Sequence, residues 1–203
     1  MSQKGPPPKS EYKELIAIKI TSYFENSLRK SASENSLMDY LNVSTVGLRG
    51  RHHPALSNQI TTRDVKLARP HLKFLAGNYL TYQIKANQSG GSPRCRICTS
   101  GVEETISHVI SVCSGMSTER ERILAQFRCL ATQTKNNISF EEIMVNPEQL
   151  CQFILDPTSL NLPIRVSLSD PLMKDFFQLS RDFCHIIDKT RIQLLKELEK
   201  TSI

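Results

Sequence analysis

The residues Tyr12, Leu15, Ile16, Ile18, Ile20, Tyr23, Phe24 and Leu28 recur near helical spacing, with Lys13, Glu14, Lys19 and Glu25 between them. This pattern predicts a helix over about 11–30, with Ser10 as its N-cap. A second short helix is expected after Ser33 or Ser36, carrying Leu37, Met38, Tyr40 and Leu41. Residues 42–59 show little periodicity. Thr61 or Thr62 can cap the next helix, which carries Val65 and Leu67 and which Pro70 is expected to interrupt. With Pro70 in the first turn of a new helix, Leu72, Leu75, Tyr79, Leu80 and Ile84 share one side, Phe74 points elsewhere and Gly77 weakens the helix. The cluster Ser89, Gly90, Gly91, Ser92 then marks a loop.

Farther along, Thr118 with Glu121 and Ser139 with Glu142 have the spacing of capping boxes, the first of them ahead of Ile123, Leu124, Phe127 and Leu130. Pro147 opens a helical stretch through Leu150, Phe153, Ile154 and Leu155, and residues 156–169, with Pro157 and Pro163, read as a loop. Asp170 and Pro171 begin the longest helix, whose stripe is Leu172, Phe176, Leu179, Phe183, Ile186, Ile187, Leu194 and Leu198. There is no internal repeat, and strands are nearly absent from the pattern. The expected fold class is mostly α, with helical lobes around a small metal-binding motif. The chain divides into a disordered Pro-rich leader (1–9), a basic helical region (10–92), a metal lobe with its following helix (93–133) and a C-terminal helical region (134–203).

Composition narrows the class. With 203 residues and 39% hydrophobic content, the chain can bury one good core or two small ones. No run approaches the roughly eighteen apolar residues of a membrane span, and the start MSQKGPPPKS is unlike a signal peptide. A soluble, nuclear or cytoplasmic protein with no membrane partner is expected. Six cysteines then stay reduced, and some are available to a metal. Charge is uneven: residues 1–94 hold fourteen Lys or Arg against six Asp or Glu, a net of +8, while residues 95–203 have a net of −2. A basic half favours a polyanionic partner as much as a merely solvated surface.

The motif that carries chemistry is Cys95-Arg96-Ile97-Cys98, followed by His108 and Cys113. Two cysteines separated by two residues aim both sulfurs at one ion, which builds half a tetrahedron. Ser100 and Glu103 resemble a capping box for a helical segment through Thr105, Ile106, Val109 and Ile110. On a regular helix, positions five apart point roughly 140° away from each other, so Cys113 and His108 share an ion only if the helix unwinds between them. Gly115 fits such an ending. Four ligands of this type leave no open position, the arrangement of structural zinc, and such a lobe is expected to be disordered without metal.

Other candidates point to packing or surface. Cys129, Cys151 and Cys184 fall on apolar helical stretches and read as core. His52 and His53 lie beside Arg49 and Arg51 in a polar stretch; His185 has Asp182 and Asp188 at helical neighbour spacing; His71 carries no signal. No nucleophile pairs with a base, so no enzyme is expected.

The run from HLKFLAGNYLTY through the Gly-Ser loop, PRCRIC, EET and HVISVC resembles the C-terminal zinc-binding region of non-LTR (LINE-type) retrotransposon reverse transcriptase polyproteins, of the jockey and chicken-repeat kinds. FILDPTSLNLP and LSRDFCHIIDKTR extend the likeness over roughly 60–195. It implies zinc at Cys95, Cys98, His108 and Cys113, downstream of a polymerase. The adjacent Asp-Asp pair of such a polymerase is missing from this chain, so no polymerase activity is expected. Two readings follow. In one, Arg94, Arg96, Arg63, Lys66, Arg69, Lys73 and Lys85 contact phosphates of RNA or DNA with low sequence specificity. In the other, zinc stabilises a protein-interaction module. The sequence fixes no oligomeric state.

Overall fold

The computed structural model of this chain describes residues 9–34, 38–42, 55, 62–132, 140–159 and 171–201. Its helices are α1 (Lys9–Ser33), α2 (Thr62–Leu75), α3 (Tyr82–Ser89), α4 (Ser117–Thr132), α5 (Phe140–Val145), α6 (Pro147–Leu155) and α7 (Pro171–Thr201). A π turn spans His108–Val112, and 3-10 turns span Ser114–Met116 and Pro157–Ser159. The extended pairing among the described residues is a single antiparallel bridge between Arg94 and Glu103. The fold is mostly α with a Cys/His cluster, as the periodicity predicts. No described helix is long and apolar enough to cross a membrane.

Helix α7 organises the core because its apolar stripe repeats long enough to meet several partners. It packs along α2 and α4, while α6 packs on α5 and on the π turn. At the centre, Phe127 of α4 meets Phe176 at 5.1 Å and Phe153 of α6 at 5.9 Å between ring centroids, and Phe153 meets Phe176 edge-on at 4.8 Å. Each such ring contributes roughly 1.5–3 kcal/mol by leaving water. Asn146 caps α6 by accepting from the amides of Glu148 and Gln149, with Pro147 in the first turn as expected.

Several expectations change. Helix α1 exists, but its apolar face lines no core among the described residues: Tyr23 is 71% exposed and Phe24 60%. Residues 38–42 form a turn closed by Leu41 N–H on the Met38 carbonyl, not a helix, because they lie along α6, with Tyr40 bonded to Glu148 and Gln152 and Asn42 to Asp156 just past its end. Pro70 does not interrupt its helix; α2 runs through it, and the lost amide bond is offset by burying Pro70, His71, Phe74 and Leu75 on one side. The helix ends instead at Leu75, where Gly77 adopts φ 63° and the amide of Asn78 reaches back to the Lys73 carbonyl. Thr81 then caps α3 through Ile84 N–H. Cys129 is exposed, against expectation, because it lies two positions from Phe127 and so falls opposite the buried stripe Ile123, Leu124, Phe127, Ala131. Cys151 and Cys184 are buried as expected. Residues 1–8 of the leader, the caps expected at Ser36, Thr61, Ser139 and Asp170, and His52, His53, Arg49 and Arg51 lie outside the described residues, while Lys9, the leader's last residue, opens α1.

Candidate metal centre

Cys95 and Cys98 stand on a small ribbon. Cys95 N–H donates to the Val102 carbonyl at 2.9 Å and Glu104 N–H to the Pro93 carbonyl at 2.8 Å, which fixes the turn that carries both thiols. Glu103 belongs to this ribbon, and Ser100 Oγ sits 2.8 Å from Cys98 Sγ, so the two do not form the expected capping box. The cap belongs to Thr105, whose Oγ1 accepts from His108 N–H at 2.9 Å.

His108 and Cys113 reach one another by a route the sequence pattern does not show. The helix does not simply unwind; it widens into the π turn, closed by Cys113 N–H on the His108 carbonyl at 2.8 Å. An i→i+5 bond brings residues five apart back over each other, where a regular helix would direct them to different sides. Cys113 then leaves at extended ψ 118°. A Cβ at Gly115 would collide with the Ile97 side chain, so only glycine lets this segment approach the Cys95–Cys98 turn so closely.

The ligand atoms of Cys95, Cys98, His108 and Cys113 all lie within 4.8 Å of one another, and all four residues are buried. Cys95 Sγ is 3.8 Å from Cys113 Sγ, and Cys98 Sγ is 3.4 Å from His108 Nε2. A disulfide would bring two sulfurs to about 2.05 Å. The four free donors therefore form a closed cluster that can hold a metal ion. Burial, with Cys95 adjacent, pushes the Cys113 thiol up to about 12, and burial raises Cys95 as well. At Cys98 burial also acts upward, but hydrogen bonds from Ser100 outweigh it and the thiol falls below its ordinary value. Burial lowers His108 and keeps the imidazole neutral, the form that ligates.

A charged shell surrounds the cluster. Glu104, fully buried, has one carboxylate oxygen 3.9 Å from Cys95 Sγ and accepts two bonds from Arg191 of α7, at 2.7 and 3.0 Å, and one from Tyr82 N–H at 2.7 Å. Arg191 also lies over the rings of Tyr79 and Tyr82. From α4, Arg120 donates to the carbonyls of Ile110 and Cys113 at 3.0 and 2.6 Å. Glu104 and Arg191 lie within the stretches EET and LSRDFCHIIDKTR that carry the family resemblance, but the sequence pattern gives none of the three residues a role. Arg120 and Arg191 do carry a signal of their own, since each is a cation standing within an apolar helical stripe; Glu104 has only its place in EET.

The basic residues fall into two groups. Arg63, Lys66, Arg69 and Lys73 are all exposed on α2, at spacings of three and four that set them along one side. Arg96 and Lys85 meet over the Tyr82 ring, at 5.0 and 5.2 Å from its centroid, and Arg94 is exposed beside Cys95. His71 is buried, its Nε2 2.7 Å from the Leu155 carbonyl, and serves the core. No protein-family model, curated protein or solved structure matches this chain.

Proposed function

We propose that the chain is a zinc-binding, nucleic-acid-binding module, similar to the tail of a retrotransposon reverse transcriptase without its polymerase, and that it performs no chemistry at the metal. The observation that carries the zinc assignment is the size of the donor cluster. Zinc bonds of about 2.3 Å to sulfur and about 2.0 Å to nitrogen give tetrahedral edges of about 3.8 Å between sulfurs and about 3.5 Å between sulfur and nitrogen. Two of the six donor separations, 3.8 and 3.4 Å, agree with these edges, and all six lie within 4.8 Å. Cys95, Cys98, His108 and Cys113 would hold the ion, which would supply rigidity. Metal analysis of purified protein is expected to give one zinc per chain; protein refolded with zinc and found to contain none overturns the assignment.

The nucleic-acid reading is supported by the α2 stripe, whose four cations are exposed and make no ion pair among the described residues. Four contacts to a single strand give a log-log salt slope near about −3. Binding of zinc-loaded protein to RNA and single-stranded DNA oligomers at several salt concentrations tests this. The double variant Arg69→Ala/Lys73→Ala should bind less tightly with a flatter slope. Absence of binding at low salt would leave the zinc-stabilised interaction module, the reading that the exposed apolar residues of α1 favour.

A further inference from the structure

Arg120 is only 7% exposed, yet it makes no ion pair among the described residues and spends its guanidinium on two carbonyls. The contrast with Arg191 is informative, because that buried guanidinium holds the Glu104 carboxylate. A buried cation without a paired counter-charge is disfavoured, and the attractive charges around Arg120 are Cys113 first and then Glu121, whose carboxylate forms no ion pair with it. Its nearest chemistry is the metal cluster: the two carbonyls that it holds belong to Ile110, inside the π turn, and to Cys113, a ligand. Three thiolates and a neutral imidazole around a divalent ion leave one negative charge in excess. Glu104 cannot balance that charge, being negative itself and already matched by Arg191.

We infer that Arg120 is a positioning residue of the metal centre, which supplies the counter-charge to an anionic metal–thiolate unit and clamps the π turn that brings His108 and Cys113 together. The inference rests on the divalent-metal reading of the cluster and adds a residue seven positions beyond the last ligand. The charge and the clamp act on the same atoms: the Cys113 carbonyl oxygen points at Arg120 while the Cys113 thiol points at the cluster. Loss of the cation therefore weakens the metal site without removing a ligand.

The test uses the full chain as wild type, Arg120→Lys, Arg120→Gln and, as a control, Arg181→Met, which removes an equally buried guanidinium (2% exposed) that donates to Ala55 and Gln178. Zinc affinity is measured by competition with a chromophoric chelator, and the absorption of the cobalt(II) form reports ligand geometry. Arg120→Gln keeps an amide donor and drops the charge, and is expected to bind zinc roughly 10- to 100-fold more weakly, the usual effect of losing an outer partner. Arg120→Lys keeps the charge and should recover most of that loss, while Arg181→Met should lower stability and leave zinc affinity unchanged. The inference is overturned if Gln binds zinc as well as Lys does, if Gln keeps wild-type affinity and the wild-type cobalt spectrum, or if Arg181→Met weakens zinc equally. If wild-type protein takes up neither metal, the divalent-metal reading fails first, a separate outcome.

Discussion

Cys113 and His108 shift in opposite directions within the closed ribbon, and this bounds the pH range over which their burial is favourable. His108 is held below its ordinary value, so at acid pH the unfolded chain binds a proton that the folded chain refuses; stability is present above about pH 6.5 and is lost as pH falls below it. Cys113 is held up at about 12, so between about pH 9 and 12 the unfolded chain sheds a proton that the folded chain keeps, and stability falls as pH rises. With metal bound the Cys113 share of the alkaline loss should vanish, because that thiolate is then a ligand, whereas the buried Cys151 and Cys184, held up as well, keep theirs; thermal melts of metal-loaded protein should still decline above about pH 9, less so for Cys151→Ala, and an equal decline in that variant would remove its thiol from the pH dependence. Exposure adds a second check: in metal-loaded protein a thiol reagent should label Cys129 alone at a fast rate, and chelation should add Cys95, Cys98 and Cys113 but not Cys151 or Cys184. The Cys/His cluster was legible at this scale because CxxC has a geometric meaning independent of the fold. The exposure of Cys129 was not, since a short apolar stretch does not say which side of α4 faces the core.

Elements were legible where they begin with a proline or a capping residue, as at Pro147 and Pro171, and less so where tertiary contacts decide. Pro70 is a helix breaker by propensity, yet α2 continues through it because its neighbours His71, Phe74 and Leu75 are buried. The π turn is the clearest case: spacing alone showed that a regular helix could not serve both His108 and Cys113, but unwinding and widening satisfy that condition equally. The connection from the metal ribbon to α7 was hidden for another reason, since Glu104 and Arg191 are 87 residues apart. Their pair is almost wholly buried, so Arg191→Met should leave a carboxylate without its cation and cost about 3–5 kcal/mol. The double variant Glu104→Gln/Arg191→Met should recover at least half of that loss, because two neutral groups replace the stranded charge. Denaturant melts of the two single variants and the double check this; additive losses would show that the pair is not coupled.

Over the whole molecule, the helices share an aromatic core, while the ribbon is built around the Cys/His cluster. Helix α1 belongs to neither: its apolar residues are exposed, and it makes no extensive packing contact with another described helix. Removing residues 1–34 should leave the melting temperature within a few degrees and the metal content unchanged. The ribbon is less separate than a lobe read from the motif alone, because Val109 and Ile110 of the π turn are fully buried against the helices. Zinc-finger peptides gain roughly 10–16 kcal/mol from such a site, far more than this ribbon's few apolar contacts supply. The helices hold their own aromatic cluster, in which Phe127, Phe153, Phe177 and Phe183 are at most 1% exposed. Chelation should therefore open the molecule in part. Hydrogen exchange after chelation is expected to show full loss of protection over residues 93–116 and retained protection in α4, α6 and α7 up to about Ile187. From there to the end of α7, protection should fall, because Arg191 loses Glu104 as the ribbon opens. Complete loss of protection throughout the chain would instead make the metal the nucleus of the whole fold. Unchanged exchange over 93–116 would remove the metal from the fold's stability altogether.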